Sequence, residues 1–498
     1  MDSETSAIDL LHRAEADLHI FEPQIDGLSF WPVVRFRAWQ MLSGVVPDPF
    51  GGSVWGRVRH QPGELARLLY AVWGLVQRRR LRKRRFDFIS FSSEAYRSVK
   101  RDDGWWDVYL DDITTHPLLA GRVLRCEMRS RVLPLLRTVA PRHLFTDAQL
   151  VDQVLGGLCG SDDHAVAQAH RVCEILCEKM SAGGRPITSD ERASFLWFCV
   201  QRSKMFRRAL RWYGRLFAEV APRAVAIVDA YNLHGIVGAA VQASIPVVEF
   251  QHGAFDRNHA GYSWPACARE VRTQLPIPHC FATYGDYWSA PLWRGGFWST
   301  AEVVSVGSAR LDWVRSGMPR VTGASEKIRI IYTSQHPTRS LAIPLWREFI
   351  QRADRAGLPF ELIIKVHRME RPVIGEYRRL TRLSPGVKVL EPYAGDTLSL
   401  IAKSDVHVSG WSTCHFEAIG LGVPTIVQRF PGVDLTEALR PFPEVYHAGD
   451  AAELLVVIHR LHAQRSRRVP KRAPQVDALF KPNAVEHAAA LLHAYAPR

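Results

Sequence analysis

The sequence predicts an α/β protein of two doubly wound parallel-sheet domains preceded by a mainly helical region, and three observations point that way. From Phe86 onward, short apolar runs alternate with helical patterns, the rhythm of strand, crossover helix and strand. That rhythm restarts after a polar break around Gly323 to Lys327. At 498 residues the chain is also longer than one ordinary core covers. The expected divisions are 1–85 for the helical accessory region, 86–322 and 323–480 for the two α/β domains, and 481–498 for a closing helix.

In the first region an apolar stretch from Leu68 to Val76 leads into Arg78, Arg79, Arg80, Arg82, Lys83, Arg84 and Arg85. It falls short of the roughly 20 residues a spanning helix needs. An apolar face beside a basic run suits an anionic membrane surface; a packed helix followed by a solvated charge run fits the same pattern. No base-recognition module and no ladder of aromatics among the arginines is visible, so nucleic acid is not an expected partner.

FDFISFSS (Phe86 to Ser93) opens the first domain, and its clearest unit runs from Ala224 to Gly253. AVAIVDA reads as a buried strand, LHGIVGAAVQAS as a helix, and IPVVEF as a strand that emerges into Gln251, His252 and Gly253. In open parallel sheets ligands bind beyond the carboxyl ends of the strands, which places His252 where such folds do chemistry. An imidazole that titrates near pH 6.5 suits a general base for an acceptor hydroxyl, against the plainer reading of a satisfied structural histidine. The following loop, to about Pro278, is longer than a simple connection. Its residues Asp256, His259 and Tyr262, with Gln251 and Gly253, are expected on the acceptor side.

In the second domain IRIIYTSQ is a strand, LAIPLWREFIQRADRAG a helix with apolar residues near 3.6 spacing, and FELIIKVHR a strand with a basic exit. Lys365, His367 and Arg368, with Arg371 behind, form either an anion pocket suited to a diphosphate or a solvated basic loop. In DVHVSGWSTCHFEAIGLGVPTIV, Ser409 and Gly410 end a strand, and Ser412 and Thr413 would cap the next helix as an anion site. Glu417 follows, where it could accept from ribose hydroxyls. Thr333, Ser334, Gln335 and His336 are expected to project toward the same cleft between the domains, and Arg310 in GSARLD is expected to join them from the linker.

Composition narrows the chemistry. A net charge of +14 implies an anionic partner. Eight scattered cysteines match no zinc pattern; Cys173 and Cys177 stand at helical spacing, and buried free thiols are expected. No carboxylate pair has metal spacing, so no metal is expected and cations with a helix dipole would neutralise a leaving nucleotide. A glycine-rich dinucleotide fingerprint and a Walker loop are absent, which argues against a dehydrogenase or an NTPase. MDSETSAIDL carries no secretory pattern, so a cytoplasmic location is expected.

FQHG followed by HAGY, then YGDYW, VGSARLD, IIKVH and SGWSTCHFEAIGLGVPTIV, resembles the capsule and surface-polysaccharide glycosyltransferases of the GT-B fold. Polysialyltransferases, Kdo transferases and teichoic-acid glycerophosphotransferases are among that family's relatives. The resemblance covers about Ala224 to Val433. It implies two Rossmann-like domains facing a cleft, His252 as the base, and His367 with Ser409, Ser412 and Thr413 on the phosphate and nucleotide. Arg368 stands where the family carries proline. The implied activity is transfer of a sugar from a nucleotide donor, such as a CMP-sugar, to a lipid-linked or glycan acceptor. No cofactor is implied, and the location would be peripheral on the inner face of the plasma membrane. A CDP-alditol polyol-phosphate transferase and a non-catalytic glycan-binding export subunit are the alternatives.

Overall fold

The structure, a computed structural model, describes residues 6–44, 85–93, 96–101, 104–128, 143–145, 162–317, 326–430, 439, 442, 444–464 and 474–495. The apolar-to-basic stretch from Leu68 to Arg84 lies outside the described residues. The chain forms two compact units, Met1–Gly307 with Ala484–Arg498, and Ser308–Asn483. The polar GSARLD segment therefore divides between them, its helix starting the second unit.

The first unit opens with α1 (Ala7–Glu15) and α2 (Trp31–Leu42), tied by the buried Glu15, which accepts from Trp31 Nε1 at 2.7 Å and Arg35 Nε at 2.5 Å. There follow β1 (Phe88–Ser93), β2 (Val123–Met128), β3 (His143–Phe145), α3 (Asp163–Ala182), α4 (Ser189–Val220), β4 (Ala224–Val228), α5 (His234–Gln242), β5 (Val247–Phe250), β6 (Cys280–Thr283), α6 (Asp286–Arg294) and β7 (Val303–Ser305). The strands pair in parallel in the order β3-β2-β1-β4-β5-β6-β7. Alternate residues of β4 serve opposite faces: Val225 and Ile227 join one core, and Ala224, Ala226 and Val228 the other. On the first face, Phe91 of β1 meets Tyr213 and Phe217 of α4 edge-on, at 5.5 and 6.3 Å.

A capping box starts α4: the Thr188 hydroxyl accepts from Glu191 N, and Thr188 N donates to the Glu191 carboxylate. Phe195, Cys199, Phe206, Leu210, Tyr213 and Phe217 recur at helical spacing on its buried side. Each fully buried aromatic or leucine there contributes roughly 1.5–3 kcal/mol. Against this helix α5 lies close because it presents Gly235 and Gly238; a Cβ at Gly235 would land on the Ala209 methyl.

The second unit contains α7 (Ala309–Ser316), β8 (Ile328–Thr333), α8 (Arg339–Arg355), β9 (Phe360–Lys365), β10 (Val387–Leu390), α9 (Thr397–Ala402), β11 (Val406–Ser409), α10 (Cys414–Gly420), β12 (Thr425–Gln428), β13 (Val445–Ala448) and α11 (Ala451–Gln464). Its strands are again parallel, in the order β10-β9-β8-β11-β12-β13. Trp346, Phe349 and Ile350 of α8 and Leu454, Ile458 and Leu461 of α11 cover one face. The last helix, α12 (Ala484–His493), returns to the first unit, where Ala488, Ala489 and Leu492 complete the second face of its sheet.

Both sheets are thus Rossmann-like, and in both the strand order reverses beside the first strand: between β1 and β4 in one unit, and between β8 and β11 in the other. Among the described residues no helix is long and apolar enough to cross a membrane.

Candidate active site

In the first unit, register places the site. Val228 of β4 lies opposite Phe250 of β5, so Asp229 and Gln251 leave the sheet side by side. Gln251 holds the exit: its Oε1 accepts from Tyr284 N at 2.7 Å and its Nε2 donates to the Gly253 carbonyl at 2.8 Å. The His252 carbonyl accepts from Tyr109 Oη at 2.9 Å. Around the imidazole stand the rings of Tyr231 at 6.1 Å, and Tyr96 and Tyr109 at 6.4 Å. The ring nitrogen Nδ1 is buried and has no hydrogen-bond partner. Burial pushes the His252 pKa below its ordinary value, and the Asp229 carboxylate opposes that shift.

Asp229 was not legible as a site residue, although the strand that delivers it was. It adopts a left-handed conformation, φ +63°, a strain of the kind that collects at functional sites. Asn232 Nδ2 donates to both of its oxygens at 2.9 Å, and the Tyr96 and Tyr231 hydroxyls bond it as well. Burial raises the Asp229 pKa, while His252 and these donors pull it back.

The acceptor-side residues separate in the structure. His259 stacks on Tyr262 at 4.7 Å and meets Tyr231 edge-on at 5.1 Å, within the same aromatic group as His252. Its Nδ1 accepts from Gly261 N, and burial lowers its pKa to about 4. Tyr262 is buried and donates to Glu249 Oε1 at 2.8 Å; the same oxygen accepts from Ala230 N at 3.0 Å. Glu249, another residue the sequence did not signal, therefore ties the loop after β4 to the loop carrying His259, and burial raises its pKa to about 8. Asp256 is exposed and closes its own turn onto Asn258, and Gly253 borders open space. The amino-terminal helices brace this loop: Arg35 donates to the Ala260 carbonyl, and His12 Nε2 donates to the Ser263 carbonyl at 3.3 Å.

In the second unit Tyr332 lies opposite Val408, so Thr333 and Ser409 reach the edge together. Gln335 bridges the reversal point as a second strand would: its Nε2 donates to the Trp411 carbonyl at 2.7 Å, and Trp411 N donates to its Oε1 at 2.5 Å. Ser409 Oγ donates to the Thr333 carbonyl at 2.7 Å.

Beneath this lies a one-directional chain of hydrogen bonds. The Gly410 carbonyl can only accept, so His415 Nε2 carries the proton at 2.9 Å. The Thr425 hydroxyl then donates to His415 Nδ1 at 2.6 Å, His407 Nδ1 donates to Thr425 Oγ1 at 2.7 Å, and Thr333 Oγ1 donates to His407 Nε2 at 2.9 Å. Burial holds both rings neutral, His415 down to about 4 and His407 well below its ordinary value.

The cationic residues divide. Lys365 Nζ donates to the Glu391, Pro392, Ala394 and Gly395 carbonyls at 2.8–3.3 Å; its three protons are committed to that loop, leaving none for a phosphate. Arg310 donates to Asp396 at 2.7 Å and stands 3.9 Å from Glu417, whose pKa burial raises. His367 and Arg368 are exposed at the end of β9. The His367 backbone is fixed by N–H donation to Ser334 Oγ at 2.9 Å, and Ser334 in turn donates to the buried Glu370. Ser412 Oγ accepts from Cys414 N at 3.2 Å, and Thr413 is exposed without a capping bond.

No family model matches the chain, and no curated protein matches it. Among solved structures it is similar to UDP-GlcNAc 2-epimerase from Neisseria meningitidis bound to UDP-GlcNAc, at 14% identity and TM-score 0.48 over 82% of this chain and 98% of that one. It is similar to the glycotransferase of kitacinnamycin at 13% identity and TM-score 0.45, over 83% of this chain and 100% of that one. Acinetobacter baumannii MurG shares 10% identity at TM-score 0.44, over 82% of this chain and 99% of that one.

Chemically, the first unit offers a neutral, partly solvent-facing imidazole beside a carboxylate, an arrangement able to take up a proton and to stabilise the resulting cation. The second offers the exposed Arg368 after β9 and a Gly410–Thr413 turn held to Gln335. Among the described residues no group of three or more His, Cys, Asp or Glu is placed to hold a metal ion.

Proposed function

We propose that this protein is a glycosyltransferase that moves a sugar from a nucleotide-activated donor, such as a CMP-sugar, to a growing lipid-linked or glycan acceptor of a bacterial surface. The observation that carries the reading is the buried, partnerless Nδ1 of His252 in a ring that faces Asp229 across adjacent strand ends. A buried nitrogen with no partner costs roughly 1–3 kcal/mol, which a ligand or proton can recover.

In the proposed reaction the acceptor oxygen attacks the anomeric carbon as its proton passes to His252, and the bond from that carbon to the nucleotide phosphate oxygen breaks. Asp229 stabilises the imidazolium as it forms, and hydrogen bonds from Asn232, Tyr231 and Tyr96 favour the ionised carboxylate against the burial that raises its pKa. The leaving nucleotide carries away a phosphate charge, for which Arg368, His367 and the Gly410–Thr413 turn are the partners. Arg310 holds Glu417 as an acceptor for ribose hydroxyls.

Donor screening tests the assignment. CMP-, CDP-, UDP- and GDP-activated sugars and a CDP-alditol are added separately, with thermal shift for binding and nucleotide release for turnover. One sugar donor class should raise Tm and release nucleotide in the presence of acceptor. Response to none of them contradicts the proposal, and response to a CDP-alditol alone assigns polyol-phosphate transfer instead.

A further inference from the structure

Two arginines of the first unit stand on one aromatic ring without a counter-charge. The guanidinium of Arg37 on α2 lies 5.7 Å from the centroid of Phe198, and that of Arg202, one turn after Phe198 on α4, lies 5.3 Å from it. All three side chains are half-buried, so the group stays within reach of solvent. Among the described residues neither arginine pairs with a carboxylate; Arg37 donates to the neutral Ser194 hydroxyl at 3.3 Å. Nearby cations of the same helices are paired, Arg35 with Glu15, and Arg207 with Asp26 and Asp162. Burial lowers the pKa of both Arg37 and Arg202, and no carboxylate acts to raise either. His234, the first residue of α5, feels the charge of Arg202; burial and that charge push its pKa down to about 3, so its ring adds no charge of its own. The nine-residue α5 begins there without a side-chain cap, which puts the positive end of its dipole on the same side.

We infer that Arg37, Arg202 and the start of α5 form a binding site for a phosphate or diphosphate group carried by the acceptor. Two cations held around one ring repel each other, and a bound anion turns that cost into attraction. A carboxylate would bring one negative charge, whereas a phosphate monoester or a diphosphate brings about two, with oxygens that match the planar fork of each guanidinium. Placement links the site to the reaction. Phe36, the residue before Arg37, stacks on Tyr231 at 5.1 Å, and the Tyr231 ring stands 6.1 Å from that of His252. An acceptor anchored by its phosphate at the arginines would therefore reach His252 across these two rings. That link rests on the proposed role of His252, while the anion site itself does not.

The test is calorimetric titration of the full chain with geranyl diphosphate, inorganic pyrophosphate and CDP, each alone. The wild type should bind geranyl diphosphate, and R37Q/R202Q should bind it at least about 100-fold more weakly, since each guanidinium contact to a phosphate is worth roughly 10- to 100-fold. R37K/R202K, which keeps the charges, should recover most of that affinity, which separates a lost anion site from a lost fold. CDP carries the same diphosphate on a nucleoside, and its affinity should be equal in the wild type and in R37Q/R202Q. His252→Ala should bind geranyl diphosphate as the wild type does, so that the anion site and the proposed transfer can fail separately. Geranyl diphosphate binding that is absent in the wild type, or untouched by the two glutamines, overturns the inference. A fall in CDP affinity equal to that of geranyl diphosphate also overturns it, by giving the site to the nucleotide. Binding of pyrophosphate without geranyl diphosphate does the same, by leaving a free anion as the ligand.

Discussion

Asp229 and His252 act on one another in opposite senses, and each sense predicts a measurement. Burial lowers the His252 pKa and Asp229 raises it, so removing the carboxylate should move the acid limb of kcat/KM to lower pH. Asp229→Asn should also cost about 10- to 100-fold in kcat, because the imidazolium loses its counter-charge; an acid limb that stays in place contradicts this coupling. Glu249 makes a different prediction, about stability. Its folded pKa of about 8 lies above the ordinary 4.5, so between those values the native state holds a proton that the unfolded chain has released. Stability is therefore lost as pH rises through that window. Glu249→Gln, which mimics the protonated form, should be more stable than the wild type at pH above 8, on the order of 2 kcal/mol, and no more stable at pH 4.5. Urea denaturation at the two pH values reads the difference. His252 was legible in the sequence because a glycine follows it at the end of an apolar run. Asp229 and Glu249 were not, because a carboxylate in a strand pattern gains its meaning from a partner on the next strand.

At the scale of elements, the hydrogen-bond chain Thr333, His407, Thr425, His415 and the Gly410 carbonyl fixes the turn after β11 relative to β8. Thr425→Val keeps the shape of the side chain and removes the link, leaving two buried imidazole nitrogens unpaired. A loss of about 2–5 kcal/mol in stability, with nucleotide affinity falling alongside, is expected; an unchanged Tm contradicts the chain. Both histidines are held neutral below their ordinary 6.5, so between about pH 6.5 and pH 4 the unfolded state binds more protons and stability falls as pH drops. Sequence reading found the strand-turn-helix of this segment but assigned Thr333 and Ser409 to ligand contact. Strand register instead turns both inward as ties. Lys365 was read as a phosphate cation for the same reason: a lysine at a strand end looks free until the Glu391–Gly395 loop folds over it. The α4–α5 contact makes a plainer prediction: Gly235→Ala should lower Tm by overpacking, at about 1–3 kcal/mol.

For the whole molecule, the two alternating series in the sequence correspond to two parallel sheets with the same order reversal, since buried parallel strands announce themselves as short apolar runs. The break between the units was harder to place. The sequence places it at Gly323 to Lys327, yet the second unit begins at Ser308 and α7 packs into it, where Arg315 donates twice to the Gly420 carbonyl and Leu311 lies against Gly420. The last helix reads as closing the chain, but only the fold reveals that it closes the first unit. Deleting residues 484–498 should therefore lower the melting of the first unit and leave that of the second unchanged in calorimetry. The central claim, that His252 accepts the proton from the acceptor, is tested most directly by single-turnover transfer and nucleotide Kd measured on His252→Ala with the donor found by screening. Transfer slowed by roughly 10²- to 10⁴-fold at unchanged nucleotide Kd is the predicted result; transfer at the wild-type rate would contradict it.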